Sequence, residues 1–60
     1  MENAEEYIVR ANNLVDLATT ARLRGDDKTS NTYLREAAHW YQEAGEYGEA
    51  QACKMLITSE

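Results

Sequence analysis

The sequence predicts an all-α fold, a small antiparallel three-helix bundle. Three observations predict it. The chain has no proline, so no helix interior meets the strongest breaker. Its only glycines, Gly25, Gly45 and Gly48, divide it into three pieces. Within each piece apolar residues recur in steps of three and four, the spacing of a helix face rather than of a strand. Helices are expected over about 3–24, 28–44 and 47–58. The connections between them are short, so consecutive helices are expected to be antiparallel neighbours. Sixty residues allow one domain, 1–60.

The first helix carries a seam of Ala4, Tyr7, Ala11, Leu14, Ala18 and Ala21. Ile8 and Val15 widen it on one flank and Leu17 on the other. Alanines on a seam let a neighbouring helix come close. Glu2, Glu5 and Glu6 stand in the first turns and Arg22 and Arg24 in the last, matching the helix dipole. Gly25 is the expected residue just past the helix end, where a positive φ is easiest without a Cβ. Val9 and Leu23 fall off the seam, as exposed residues or as part of a second contact surface.

Asp26 or Asp27 can cap the second helix by accepting from its free N–H groups. Thr29, Ser30, Asn31 and Thr32 form helices poorly, so a ragged start is expected. The body of this helix has two adjacent stripes. Tyr33, Ala37, Trp40 and Ala44 make one; Leu34, Ala38 and Tyr41 make the other. So wide an apolar arc implies two neighbours, which makes this the central helix. Trp40 and Tyr41 lie about 100° apart, so one is expected to face the first helix and the other the third.

Gly45 ends the second helix. In the third, Ala50, Cys53 and Ile57 form a stripe begun by Tyr47, while Ala52, Met55 and Leu56 add apolar surface beyond what one neighbour needs. Thr58, Ser59 and Glu60 are expected to fray.

The stretch around Gly45 has a further pattern, Ala38–x2–Tyr41–x3–Gly45–x–Tyr47–x2–Ala50. It resembles the core of a tetratricopeptide (TPR) helical hairpin. The resemblance implies a hairpin over about 31–57 with its small residues where the two helices meet. A weaker echo, Leu14–x2–Leu17–Ala18–x2–Ala21–x3–Gly25, lies upstream. Its glycine is only about 20 residues from Gly45, whereas TPR units recur about every 34. One hairpin within a bundle is implied, not a tandem array. Lys54 stands where the family carries a bulky aromatic, Ile57 where it carries a small residue, and no proline closes the unit.

Composition narrows the function. A domain of this size buries only about 60% of its unfolded surface. Much of its apolar content is alanine, which brings little area. Completion of the core by self-association, as a homodimer or higher oligomer, is therefore expected. Eleven acidic against six basic side chains give a net charge of −5. That disfavours nucleic-acid binding, which uses Lys and Arg to displace counterions from phosphates. Cys53 is the only cysteine and can form no internal disulfide. No apolar run approaches the ~20 residues of a membrane span. The acidic N-terminus lacks the features of a signal peptide. A cytoplasmic protein is expected, with no membrane partner.

Candidate chemistry is sparse. His39 has Arg35 four residues before it and Glu43 four after, which reads as solvated i,i+4 pairing rather than a general base. Cys53 lies on an apolar stripe and reads as a buried small hydrophobe. Asp26 and Asp27 lack the spacing of a Ca²⁺ loop and read as caps. Arg22, Arg24 and Lys28 bracket a turn and read as a solvated one. No catalytic, cofactor-binding or metal-binding residue is assigned.

The expected function is a small non-enzymatic protein–protein interaction module or regulator. Tyr33, Trp40, Tyr47, Met55 and Leu56 are the candidate interface, since aromatic anchors are enriched there. The partner is expected to be a protein, with a second copy first among candidates. The alternative is a dimeric nucleic-acid-associated regulator with a basic face formed across the dimer. A chain of this size starting at Met1 is the kind found among small regulators, those of phages and mobile elements included.

Overall fold

The computed structural model describes residues 3–58 and is a three-helix bundle: α1 Ala4–Leu23, α2 Asp27–Glu43 and α3 Tyr47–Met55. Glu2, Ser59 and Glu60, to which the sequence assigned a dipole role and fraying, lie outside the described residues. α1 begins at Asn3, whose Oδ1 accepts from the Glu6 N–H at 3.1 Å. Glu5 and Glu6 occupy the first turn and Arg22 the last, as the dipole favours.

Both helix ends are built as the glycines suggest. Gly25 has φ +82° and Gly45 φ +81°. At the first turn, Gly25 N–H donates to the Arg22 carbonyl and Asp26 N–H to the Ala21 carbonyl, each at 2.9 Å. At the second, Gly45 N–H donates to Gln42 O at 3.0 Å and Glu46 N–H to Tyr41 O at 2.8 Å. These are two Schellman motifs. A Cβ built on either glycine meets nothing within 4 Å. It is the backbone dihedral, not lack of room, that calls for glycine.

α2 starts more cleanly than its sequence suggests. The Asp26 carboxylate accepts from the Thr29 N–H at 3.2 Å, and the helix is regular from Asp27. Far from being ragged, this first turn buries Ser30 and Asn31. Burial against α1 and α3 overrides their weak propensity.

Among the described residues, six of the nine buried apolar ones are alanines: Ala11, Ala18, Ala21, Ala37, Ala38 and Ala50. Leu34, Tyr41 and Cys53 complete the core, which is one of close helix approach more than of apolar bulk. Ile8, Leu14, Val15, Tyr33, Trp40 and Ile57 pack around it, half-buried. α2 is central: α1 and α3 both pack on it and scarcely meet each other. Early residues of α1 lie against late residues of α2, and late against early. Tyr7 stacks on Trp40, Asn12 accepts from Tyr41 Oη, and Arg22 reaches Asn31.

The third helix departs from expectation. It stops at Met55 rather than near residue 58, with Leu56 as its cap. Side chains from α1 and α2 capture the chain there, as described below.

Candidate functional site

The five residues singled out from the sequence do not form one patch. Tyr33 and Trp40 are half-buried against the core, whereas Tyr47, Met55 and Leu56 are exposed. Trp40 is engaged within the chain. Its ring lies 5.4 Å from that of Tyr7, stacked at 27°. The Arg10 guanidinium sits 4.9 Å above it and His39 meets it edge-on at 5.1 Å. Trp40 thus faces α1, as expected of one of the adjacent pair. Tyr41 does not simply face α3. Its hydroxyl donates to Asn12 Oδ1 on α1, while Cys53 and Glu49 of α3 lie close enough to bear on its ionisation. Burial first, and then those neighbours, push the Tyr41 phenol above its ordinary value.

A cleft of about 210 Å³ opens beside α2. Its walls are Val15, Thr19 and Leu23 of α1 and Leu56 after α3; Ser30 and Leu34 of α2 form its floor. It arises because α1 and α3 rest on α2 without closing on each other. Leu56 is the one residue of the sequence-derived set that lines it. Leu23, which the helical seam left unassigned, protrudes at its rim.

Two polar side chains, Arg22 and Asn31, hold residues 56–58 beside this cleft. Thr58 N–H donates to Asn31 Oδ1 at 3.1 Å, and Asn31 Nδ2 donates to the Thr58 carbonyl at 2.9 Å. Arg22 Nη2 donates to the Leu56 carbonyl at 2.9 Å and lies 3.4 Å from Asn31 Oδ1. Thr58 is tied down rather than frayed, and Arg22 is a partly buried clamp rather than part of a solvated turn. Arg22 Nε, buried and 4.0 Å from the Asp27 carboxylate, is left without a hydrogen bond. The signal for Asn31 was in the sequence. It lies three residues before Leu34 and so extends the Leu34, Ala38, Tyr41 stripe by one turn.

The remaining candidates stay with their simpler readings. His39 Nε2 stands 3.9 Å from Glu43, both exposed. The Cys53 thiol is buried, and burial, with Glu49 beyond it, pushes its pKa up, away from thiolate reactivity. The Thr29 hydroxyl and backbone N–H hold the Asp26 carboxyl below its ordinary value, as capping requires. Among the described residues no three His, Cys, Asp or Glu side chains come together as metal ligands. No helix among them is long and apolar enough to cross a membrane.

Fold and surface together define a class: an alanine-cored three-helix bundle with an apolar cleft beside its central helix. The chain matches no protein-family model, no curated protein and no solved structure in comparisons with each. Ala38, Tyr41 and Ala50 are buried and Gly45 turns the chain, but Tyr47 is exposed. The tetratricopeptide resemblance therefore rests on the residue pattern alone.

Proposed function

We propose that the chain is a non-enzymatic protein–protein interaction module that associates with itself. One observation carries the reading. In a chain with few large apolar residues, Leu23 is 84% exposed, Met55 77%, Tyr47 70% and Leu56 51%. Leu23 and Leu56 flank the apolar cleft, so protruding side chains and a recess that fits side chains of their kind share one surface. Exposed apolar groups beside a recess are the usual composition of an interaction site. The acidic balance, −5, works against a nucleic-acid partner. The regulatory role and cytoplasmic setting expected from the sequence belong to this same proposal.

The test is the mass of the native complex over a range of concentrations, for the wild type and for Leu23→Ser and Leu56→Ser. A wild-type dimer or higher oligomer is expected, weakened at least about tenfold by either substitution, since losing one buried leucine contact costs at least about 1.4 kcal/mol. A wild type that stays monomeric would sink the self-association reading. Oligomers indifferent to both substitutions would move the surface elsewhere.

A further inference from the structure

We propose that α3, together with residues 56–58, is an exchangeable arm: it leaves its own α2 and takes the same place on a second copy, with Gly45 as the hinge. The inference rests on the self-association reading for the dimer itself; because exchange restores the closed contacts, Leu23 and Leu56 strengthen that dimer only through contacts beyond the arm.

The surface under the arm is already a receptor. α3 packs on α2, and Ala50 and Cys53 of α3 share one buried cluster with Ala38 and Tyr41 of α2, with Ile57 packed against it. Asn31 takes both backbone polar groups of Thr58, and Arg22 takes the Leu56 carbonyl. The fit is apolar at one end and directional at the other. A second copy carries an identical arm, so it matches this surface with no new complementarity needed. Exchange of an element between protomers then conserves every closed contact except those of the hinge.

The hinge is suited to such exchange. Only residues 44–46 separate α2 from α3. The turn depends on Gly45 at φ +81°, and Glu46 supplies no side-chain cap to α3. If Gly45 and Glu46, now at ψ 68°, both adopt helical dihedrals, α2 and α3 join into one helix from Asp27 to Met55, with no proline to break it. In that state the arm points away from its own receptor, and only another copy can satisfy Asn31, Arg22 and the exposed apolar face. The cleft then becomes a shared site, with Leu23 and Leu34 from one copy and Leu56 from the other. The α1 side of the molecule is poorly suited to the same move. Its helix has 20 residues against 9 in α3, and the next helix is capped by Asp26.

The experiment compares the full-length wild type with Gly45→Ala and Gly48→Ala. Alanine is strained at a positive φ but not in a helix, so Gly45→Ala favours the straight hinge. Gly48 has no positive φ and open space at its Cβ, so Gly48→Ala is the control. Native mass spectrometry gives the dimer dissociation constant of each. Isotope-filtered NOEs, in labelled and unlabelled chains refolded together, ask whether the Asn31 side-chain amide of one copy touches Thr58 of another. Gly45→Ala is expected to tighten the dimer by about tenfold or more, with intermolecular Asn31–Thr58 NOEs, while Gly48→Ala matches the wild type. A Gly45→Ala protein that stays monomeric overturns the exchange. So does a dimer whose Asn31–Thr58 NOEs are purely intramolecular, although that result would leave self-association standing. Should Gly45→Ala fail to fold, the wild type refolded at high concentration decides by the same NOE: its presence supports the arm and its absence removes it.

Discussion

The turns at Gly25 and Gly45 are nearly the same object, and the helices that follow them are not held alike. Each glycine sits near φ +80°, each turn closes with the same pair of backbone hydrogen bonds, and each spans three residues. After Gly25, Asp26 caps α2 through its side chain. After Gly45, Glu46 stands with φ −90° and ψ 68°, close to the −99° and 74° of Asp26, yet caps nothing. α2 is then gripped from both sides, whereas α3 has one helical neighbour and a polar clasp at its far end. Glycine fixes where the chain reverses. How firmly the next helix is held depends on its cap, its length and what receives its other end.

The largest expected effect is one that both hairpins share. Leu34 is buried at the floor of the cleft, in the core common to α1, α2 and α3. Leu34→Ala is expected to cost about 2–5 kcal/mol, from lost transfer energy and the cavity left behind. Amide exchange should accelerate in all three helices together. Loss of protection in α3 alone would mean that the hairpins have separate cores.

Asn31→Ala separates the two regions more sharply. It removes both partners of the Thr58 backbone, at an expected cost of about 0.5–1.5 kcal/mol for each hydrogen bond lost, since Thr58 itself is exposed and water can replace them. Amides of α3 and Thr58 should lose protection first, while α1 and the rest of α2 keep theirs. Uniform loss along the chain would show that Asn31 holds the whole bundle rather than the end of α3.

How much of this could be read in the residues follows the same division. The two turns, the central place of α2 and the burial of Ala11, Ala18, Ala38 and Ala50 were legible, because glycine positions and three–four spacing report backbone geometry directly. The end of α3 was not. Periodicity ran on through Ile57, and no glycine or proline announced a stop. What ends the helix at Met55 is a long-range event, Arg22 and Asn31 reaching residues 34 and 27 positions away. Propensity also misjudged Ser30 and Asn31, since it prices a side chain in an isolated helix and not one received by two neighbours. The candidate surface was legible in part. Exposure of Tyr47, Met55 and Leu56 follows from a surplus of apolar residues on a short helix. The capture of Trp40 by Tyr7, Arg10 and His39 needed the pairing of α1 with α2.

A smaller change should make the second turn more like the first. Glu46→Asp places a side chain of the right length at a cap whose dihedrals already match those of Asp26. A stabilisation of about 0.5–1 kcal/mol is expected, read from denaturant midpoints. No gain would mean that the start of α3 cannot use a cap, and the contrast between the turns would then lie in packing alone.

The smallest effect concerns the cap that exists. Thr29 holds the Asp26 carboxyl below its ordinary value of 3.8. A carboxylate whose pKa is depressed on folding contributes stability that is fully present above its unfolded pKa. That stability is lost as the pH falls through the lower, folded value. The acid limb of the stability curve should therefore carry a contribution from Asp26 that begins near pH 4 and grows downward. Asp26→Asn keeps an acceptor for the Thr29 N–H and has no proton to gain. Its melting temperature should fall less than that of the wild type between pH 5 and pH 2. Asp26→Ala, with no acceptor, should start lower at neutral pH and fall less steeply too. Parallel acid limbs in the wild type and Asp26→Asn would show that the first turn owes its firmness to burial of Ser30 and Asn31 rather than to its cap.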